Sequence, residues 1–129
     1  MKELLYDLII LYAVPLFFTF LIEVPLISAW LIRDVKPGCS MAVNALTNVP
    51  FNLILSFITG FTGLGTQRTV YMVLCEFIII PVSEGLLYSK LSDRSLRRCM
   101  ISSYIANAVS FGLGLLIMPA MESIIKNFF

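Results

Sequence analysis

The chain has 129 residues, of which 59% are hydrophobic and 13% are charged, and its mean hydropathy is +0.94. Soluble domains are about half apolar and about a quarter charged, so this composition indicates a single membrane domain over residues 1–129. The net charge of +1 and the absence of histidine argue against a nucleic-acid surface, histidine-ligated metals and histidine-based triads. The three cysteines form no Cys-x-x-Cys pair, so no disulfide framework, four-cysteine metal site or cofactor is expected.

Four hydrophobic segments follow one another along the chain. They cover about residues 8–32, 39–59, 69–89 and 99–121. Each has roughly the ~20 residues that a helix needs to cross the hydrocarbon of a bilayer. We therefore predict an all-α integral membrane protein with four transmembrane helices, followed by an amphiphilic tail (123–129) at the membrane interface.

Prolines and glycines mark the places where these helices should bend or end. Pro50 should kink or loosen the second helix, because it cannot donate to the preceding turn. Pro119 and Glu122 mark the predicted end of the fourth helix. The glycine-rich segment 60–68 lacks a Walker lysine, so a flexible connection is predicted there rather than a phosphate-binding loop.

The distribution of lysine and arginine predicts the orientation. Loops one and three carry six basic residues: Arg33, Lys36, Lys90, Arg94, Arg97 and Arg98. The opposite side carries three: Lys2, Arg68 and Lys126. The excess predicts that loops one and three are cytoplasmic and that both termini lie outside, as expected for a protein of the plasma (inner) membrane.

A short polar pattern occurs in both halves of the chain. Asn44, Thr47 and Asn48 lie at i, i+3 and i+4, so a helix presents them on one face. The pattern asparagine, alanine, apolar residue, hydroxyl residue recurs 63 residues later, with Asn107 and Ser110. This recurrence predicts two similar helical hairpins, about 8–59 and 69–121, related by a two-fold axis along the membrane normal.

Glutamates inside the segments suggest chemistry. Glu23 and Glu84 occupy the first helix of each hairpin, and Glu76 lies in the third segment. No lysine or arginine lies inside the segments, so these carboxylates must be hydrogen-bonded, protonated or in contact with water or a cation. With amide and hydroxyl oxygens they form a hard ligand set that suits H⁺, Na⁺ or a divalent cation. The candidate binding residues are Glu23, Glu84, Asn44, Thr47, Asn48, Asn107, Ser110 and Glu76.

The leading functional prediction is transport or permeation of a cation or proton through this site. Four helices enclose little space, so a homo-oligomer or a membrane-protein partner is expected to complete the path. The alternative is a non-transporting subunit that anchors, assembles or regulates a larger membrane complex, with the polar residues serving as interhelical contacts. An enzyme is not expected, because the segments offer only glutamates for acid–base catalysis.

Overall fold

The computed structural model describes residues 5–6, 9–62 and 68–128, and the described part of the chain is folded into helices without strands. Four helices follow in order: α1 (residues 9–31), α2 (Pro37–Thr62), α3 (residues 68–91) and α4 (Leu96–Lys126). They correspond to the four predicted hydrophobic segments and extend several of them by a few residues. Most of the glycine-rich connection, residues 63–67, lies outside the described residues.

Two of the helices contain wider, π-helical turns. In α1, the stretches Ile9–Ala13 and Leu26–Leu31 flank the α-helical part Val14–Pro25, and in α3 the stretch Cys75–Ile79 precedes Ile80–Leu91. One wide stretch ends just before Pro15 and another just before Pro81. A proline ring crowds the preceding turn and cannot donate a backbone hydrogen bond, and a π turn accommodates both effects. These helices are therefore widened at their prolines rather than broken.

The other two helices continue through their prolines. The α-helix α2 includes Pro50, and α4 runs for 31 residues through Pro119 to Lys126. The predicted end of the fourth helix near Pro119 is therefore wrong, and most of the predicted tail belongs to α4. The physical reason is that an internal proline removes one backbone hydrogen bond while the turns on either side keep theirs, which favours continuity in an apolar sequence.

Two helical stretches in the described part of the chain are long and apolar enough to cross a membrane. They are Val14–Leu31, with a mean hydropathy of 1.9, and Leu96–Lys126, with a mean hydropathy of 1.8. Large apolar side chains such as Phe17 and Leu116 are exposed, whereas Glu84 and Asn44 are fully buried. Polar groups inside and apolar groups outside are the reverse of what a water-soluble protein shows.

A close approach between α3 and α4 sets the geometry of the interior. A Cβ atom on Gly85 would lie 2.9 Å from the Cα of Met100 and would also overlap the sulfur of that side chain. Only glycine fits at this crossing, and it brings the neighbouring Glu84 against α4. At the loop end of the bundle, Arg94 forms an ion pair with Asp34 at 2.9 Å, so the first and third loops lie side by side.

Candidate ion-binding site

The carboxylate of Glu84 lies at the centre of a buried polar cluster. Its Oε1 accepts hydrogen bonds from Thr47 Oγ1 at 3.0 Å and Asn48 Nδ2 at 3.3 Å. Its Oε2 accepts from Ser103 Oγ at 3.1 Å and Asn107 Nδ2 at 2.6 Å. All four donors are neutral, and they come from α2 on one side and α4 on the other. Glu84 therefore joins three helices with one side chain.

Helix α2 supplies a polar stripe that faces α3. Ser40, Asn44, Thr47 and Asn48 follow helical spacing, and each is at most 4% exposed. Asn44 also donates to the carbonyl of Ser40 at 3.0 Å, and Asn48 donates to the carbonyl of Asn44 at 3.1 Å. These bonds to the preceding turn restrict the side-chain rotamers, so the stripe is held in position before any ligand arrives.

Tyr88 extends the cluster toward the loop end of the bundle. It lies one helical turn after Glu84 on α3 and is fully buried. Its hydroxyl lies 3.1 Å from Ser40 Oγ and accepts from Asn44 Nδ2 at 3.2 Å. The aromatic ring packs in the small apolar core that includes Ile27 and Cys99. The polar cluster is therefore closed at this end by a side chain with a hydroxyl on an apolar ring.

Helix α4 supplies the opposite stripe and connects Glu23 to the cluster. Ser103 donates to the carbonyl of Pro81 at 2.8 Å as well as to Glu84, and Asn107 donates to the carbonyl of Ser103 at 3.0 Å. One turn further, the Ser110 hydroxyl donates to Oε1 of Glu23, which is 1% exposed. The second glutamate thus joins the same layer through α4.

The two halves of the chain contact one another reciprocally. Thr47 of the first half donates its hydroxyl to Glu84 of the second half. Ser110, which follows Thr47 by 63 residues, donates its hydroxyl to Glu23 of the first half. Equivalent hydroxyl residues therefore bond to equivalent glutamates across the centre of the bundle.

Two amide oxygens in this layer have no donor. Among the described residues, Asn44 Oδ1 and Asn107 Oδ1 are buried without a hydrogen-bond partner. Leaving a buried acceptor unpaired costs about 1–3 kcal/mol, so such atoms call for an explanation. No lysine or arginine in the described part of the chain pairs with Glu84. The centre of the bundle is therefore rich in acceptor oxygens and lacks a basic partner for its central carboxylate.

Seven of the eight predicted site residues lie in this cluster. They are Glu23, Asn44, Thr47, Asn48, Glu84, Asn107 and Ser110. The backbone of Glu76 lies in the π-helical stretch of α3, and its side chain lies outside the described part of the structure. Described groups of three or more histidine, cysteine, aspartate or glutamate residues that could hold a metal are absent. A cation here would need neutral oxygens beside the two carboxylates.

Sequence reasoning missed three members of the cluster, Ser40, Tyr88 and Ser103. Each lies four residues from a predicted site residue, which places it on the same helical face. Ser40 and Ser103 also lie 63 residues apart, the spacing of the polar repeat, and so lengthen it by one helical turn. A search for polar residues at i±4 from the predicted site would have found all three.

No protein-family model, curated protein or solved structure matches the chain. The chemistry of the polar cluster is therefore the basis for assigning a function.

Proposed function

We propose that the protein is a polytopic membrane protein that transports or conducts a cation or proton through the cluster around Glu84 and Glu23. One observation carries the proposal: the buried Asn44 and Asn107 amide oxygens lack donors and lie in the same layer as a carboxylate without a basic partner. A cation, or a proton carried with water, supplies the positive charge and the missing donors. Carboxylate, amide and hydroxyl oxygens suit H⁺, Na⁺, Mg²⁺ or Ca²⁺.

The hydrogen bonds around Glu84 support exchange of such an ion. The hydroxyls of Thr47 and Ser103 each have a second acceptor, the carbonyls of Val43 at 3.0 Å and Pro81 at 2.8 Å. They can therefore release the carboxylate without losing every partner. A half-turn of the Asn107 amide exchanges its Nδ2 for its unpaired Oδ1. The same residues thus serve as donors to an empty carboxylate and as ligands beside an occupied one.

The distribution of apolar surface supports a bilayer as the setting. In the proposal, α1–α4 all span, loops one and three lie in the cytoplasm, and the hairpins 8–59 and 69–121 form a two-fold repeat. The contact between Asp34 and Arg94 supports placing both loops on one side. The reciprocal bonds of Thr47 and Ser110 support the repeat. A second protomer or a membrane partner completes the path, because the residues around Glu84 already fill the space between the helices.

The second candidate function is a non-transporting subunit that anchors, assembles or regulates a larger membrane complex. One observation favours it: four neutral donors already satisfy both oxygens of Glu84. In that case the cluster holds three helices together and exchanges nothing.

Flux and ion-dependent stability separate the two functions. The full-length protein is purified, reconstituted in liposomes and assayed for proton and cation flux, and its thermal unfolding is followed in detergent with Na⁺, Mg²⁺, Ca²⁺ and changing pH. A bound ion at a hundred-fold excess over its Kd stabilises the folded state by about 2.7 kcal/mol, which is visible as a rise in Tm. Transport predicts both flux and an ion-dependent rise.

Glutamine variants connect these readouts to the cluster. Glu84→Gln and Glu23→Gln keep the side-chain volume and remove the titratable charge, so both should abolish flux and the ion-dependent rise in Tm. Glu122→Gln is the matched control, because Glu122 is an exposed glutamate near the end of α4. The proposal is wrong if wild type shows no ion-dependent or pH-dependent shift and both cluster variants behave like wild type.

A further inference from the structure

A surface depression lies at the loop end of the bundle, away from the Glu84 carboxylate. Its volume is about 390 Å³, and its wall includes Trp30, Arg97, Arg98, Ile101, Ser102 and Ile105. The depression therefore combines the first turns of α4 with the end of α1. None of the hydrogen bonds of the Glu84 carboxylate involves these residues.

One end of the depression attracts anions. Ser95 caps α4 by accepting the backbone N–H of Arg98 at 3.3 Å, so the first two amides of the helix keep no acceptor of their own. The positive end of the helix dipole and two exposed guanidinium groups, those of Arg97 and Arg98, add to this potential. Neither guanidinium forms an ion pair in the described part of the chain, whereas the nearby Arg94 pairs with Asp34.

Ser102 independently indicates a ligand. Its side chain lines the depression, and the residue is only 4% exposed. Within the described structure it has no hydrogen-bond partner, although the next residue, Ser103, has two. Buried hydroxyls are nearly always hydrogen-bonded, so this hydroxyl is placed for an acceptor that enters the depression from outside.

The other end of the depression is apolar. Ile101 and Ile105 continue the face of α4 that begins at Ser95, and Leu31 and Trp30 form the opposite wall. The ten residues from Ser95 to Ile105 span about 15 Å along the helix. Trp30 is 76% exposed, as a tryptophan at a membrane interface is. A ligand that fits has an anionic head and an apolar chain.

We propose that this depression binds one anionic glycerophospholipid. The phosphate lies against Arg97, Arg98 and the Ser102 hydroxyl, and the first part of an acyl chain follows Ile101 and Ile105. Basic residues near a bilayer surface attract anionic lipids, and a helix N-terminus with free amides adds a geometric site to that general attraction. The bound lipid fixes the depth of α4, the helix that carries Ser103, Asn107 and Ser110. This site does not depend on the proposed transport of an ion.

The test uses the single tryptophan of the chain, Trp30. Full-length protein is reconstituted in phosphatidylcholine vesicles that contain increasing amounts of brominated phosphatidylglycerol, or of brominated phosphatidylcholine, and tryptophan fluorescence is measured. Bromine quenches only lipid in contact with the ring, so selective binding appears as half-quenching at a lower mole fraction of phosphatidylglycerol. We expect the preference to fall about fivefold for each arginine removed.

Three variants assign the preference to the depression. Arg97→Gln combined with Arg98→Gln should abolish it, and Ser102→Ala, a change of one buried atom, should weaken it. Lys90→Gln is the matched control, because it removes an exposed positive charge at the same end of the bundle without touching the depression. Equal quenching by both lipids, or an equal loss in Lys90→Gln, would overturn the proposal. Loss of the preference in millimolar inorganic phosphate would also overturn it, since the site would then take a soluble anion.

Discussion

The Nδ2 of Asn107 lies 2.6 Å from Oε2 of Glu84, and this contact joins α4 to α3 at the point where the two helices approach most closely. On the other oxygen of the same carboxylate, Thr47 and Asn48 join α2. One glutamate therefore organises three helices, and changes to it affect folding as well as any ion that the site binds.

Glu84→Gln should destabilise the protein without unfolding it. The glutamine amide would place an N–H₂ group against two of the four donors that now surround the carboxylate, and an unsatisfied buried group costs about 1–3 kcal/mol. Chemical denaturation in detergent measures the change in the free energy of unfolding, with Glu122→Gln as the exposed control. Equal stability of Glu84→Gln and wild type would show that the native side chain is a protonated acid rather than an anion.

Thr47→Val and Ser110→Ala should have similar, small effects on stability. Each removes a hydroxyl that donates to a glutamate of the other half of the chain. Hydrogen bonds between membrane helices contribute about 0.6 kcal/mol on average, so each variant should lose roughly that amount. Ser83→Ala is the control, because its hydroxyl bonds only to the carbonyl of Ile79 in its own helix. A large loss in one variant and none in the other would contradict the two-fold repeat.

Most of the polar cluster was predictable because it follows helical spacing. Asn44, Thr47 and Asn48 lie on one face wherever the segment is helical, and the recurrence at Asn107 indicated a matching face. Tyr88 was not predicted, since an aromatic residue in an apolar segment gives no sign that its hydroxyl is buried among polar groups. Sequence reasoning also failed to show which donors belong to which glutamate, because that depends on how helices cross.

The crossing of α3 and α4 illustrates this limit. Gly85 is one of seven glycines in the chain, and nothing in the sequence distinguishes it from Gly112. Only the packed helices show that Met100 leaves no space for a Cβ at Gly85, whereas nothing lies within 4 Å of a Cβ at Gly112. The end of α4 beyond Pro119 was mispredicted for a related reason: a local rule about proline was given more weight than the continuous helix on both sides of it.

Gly85→Ala should therefore be destabilising, and Gly112→Ala should not. The added methyl group at Gly85 must push α3 away from the backbone of Met100, and overpacking of this kind costs about 1–3 kcal/mol. The shift should also lengthen the contacts from Glu84 to α4 and so reduce any ion-dependent rise in Tm. Thermal unfolding of both alanine variants measures the first effect, and its dependence on added cation measures the second. Equal Tm values for the two variants would show that the helices are not packed closely at Gly85.

The orientation predicted from the basic residues can be tested with reporters. An enzyme or fluorescent reporter fused after Phe129 should report an external location, and one inserted near Asp93 should report a cytoplasmic location, because six basic residues lie in loops one and three. A second insertion near Lys36 should agree with the one near Asp93, since Asp34 and Arg94 form an ion pair. Opposite results for the two loops would exclude the four-span arrangement.

Tyr88→Phe separates the binding of an ion from its passage. The change removes a buried hydroxyl that contacts Ser40 and Asn44, while Asn44 keeps its bond to the Ser40 carbonyl, so the loss of stability should be about 1 kcal/mol. The four donors to Glu84 are not altered, and the ion-dependent rise in Tm should remain. Flux should fall, because the hydroxyl is the polar group at the loop end of the cluster, where an ion leaves Glu84. Wild-type flux in Tyr88→Phe would place the path elsewhere. Loss of the ion-dependent rise would mean that Tyr88 itself contributes to the ion site.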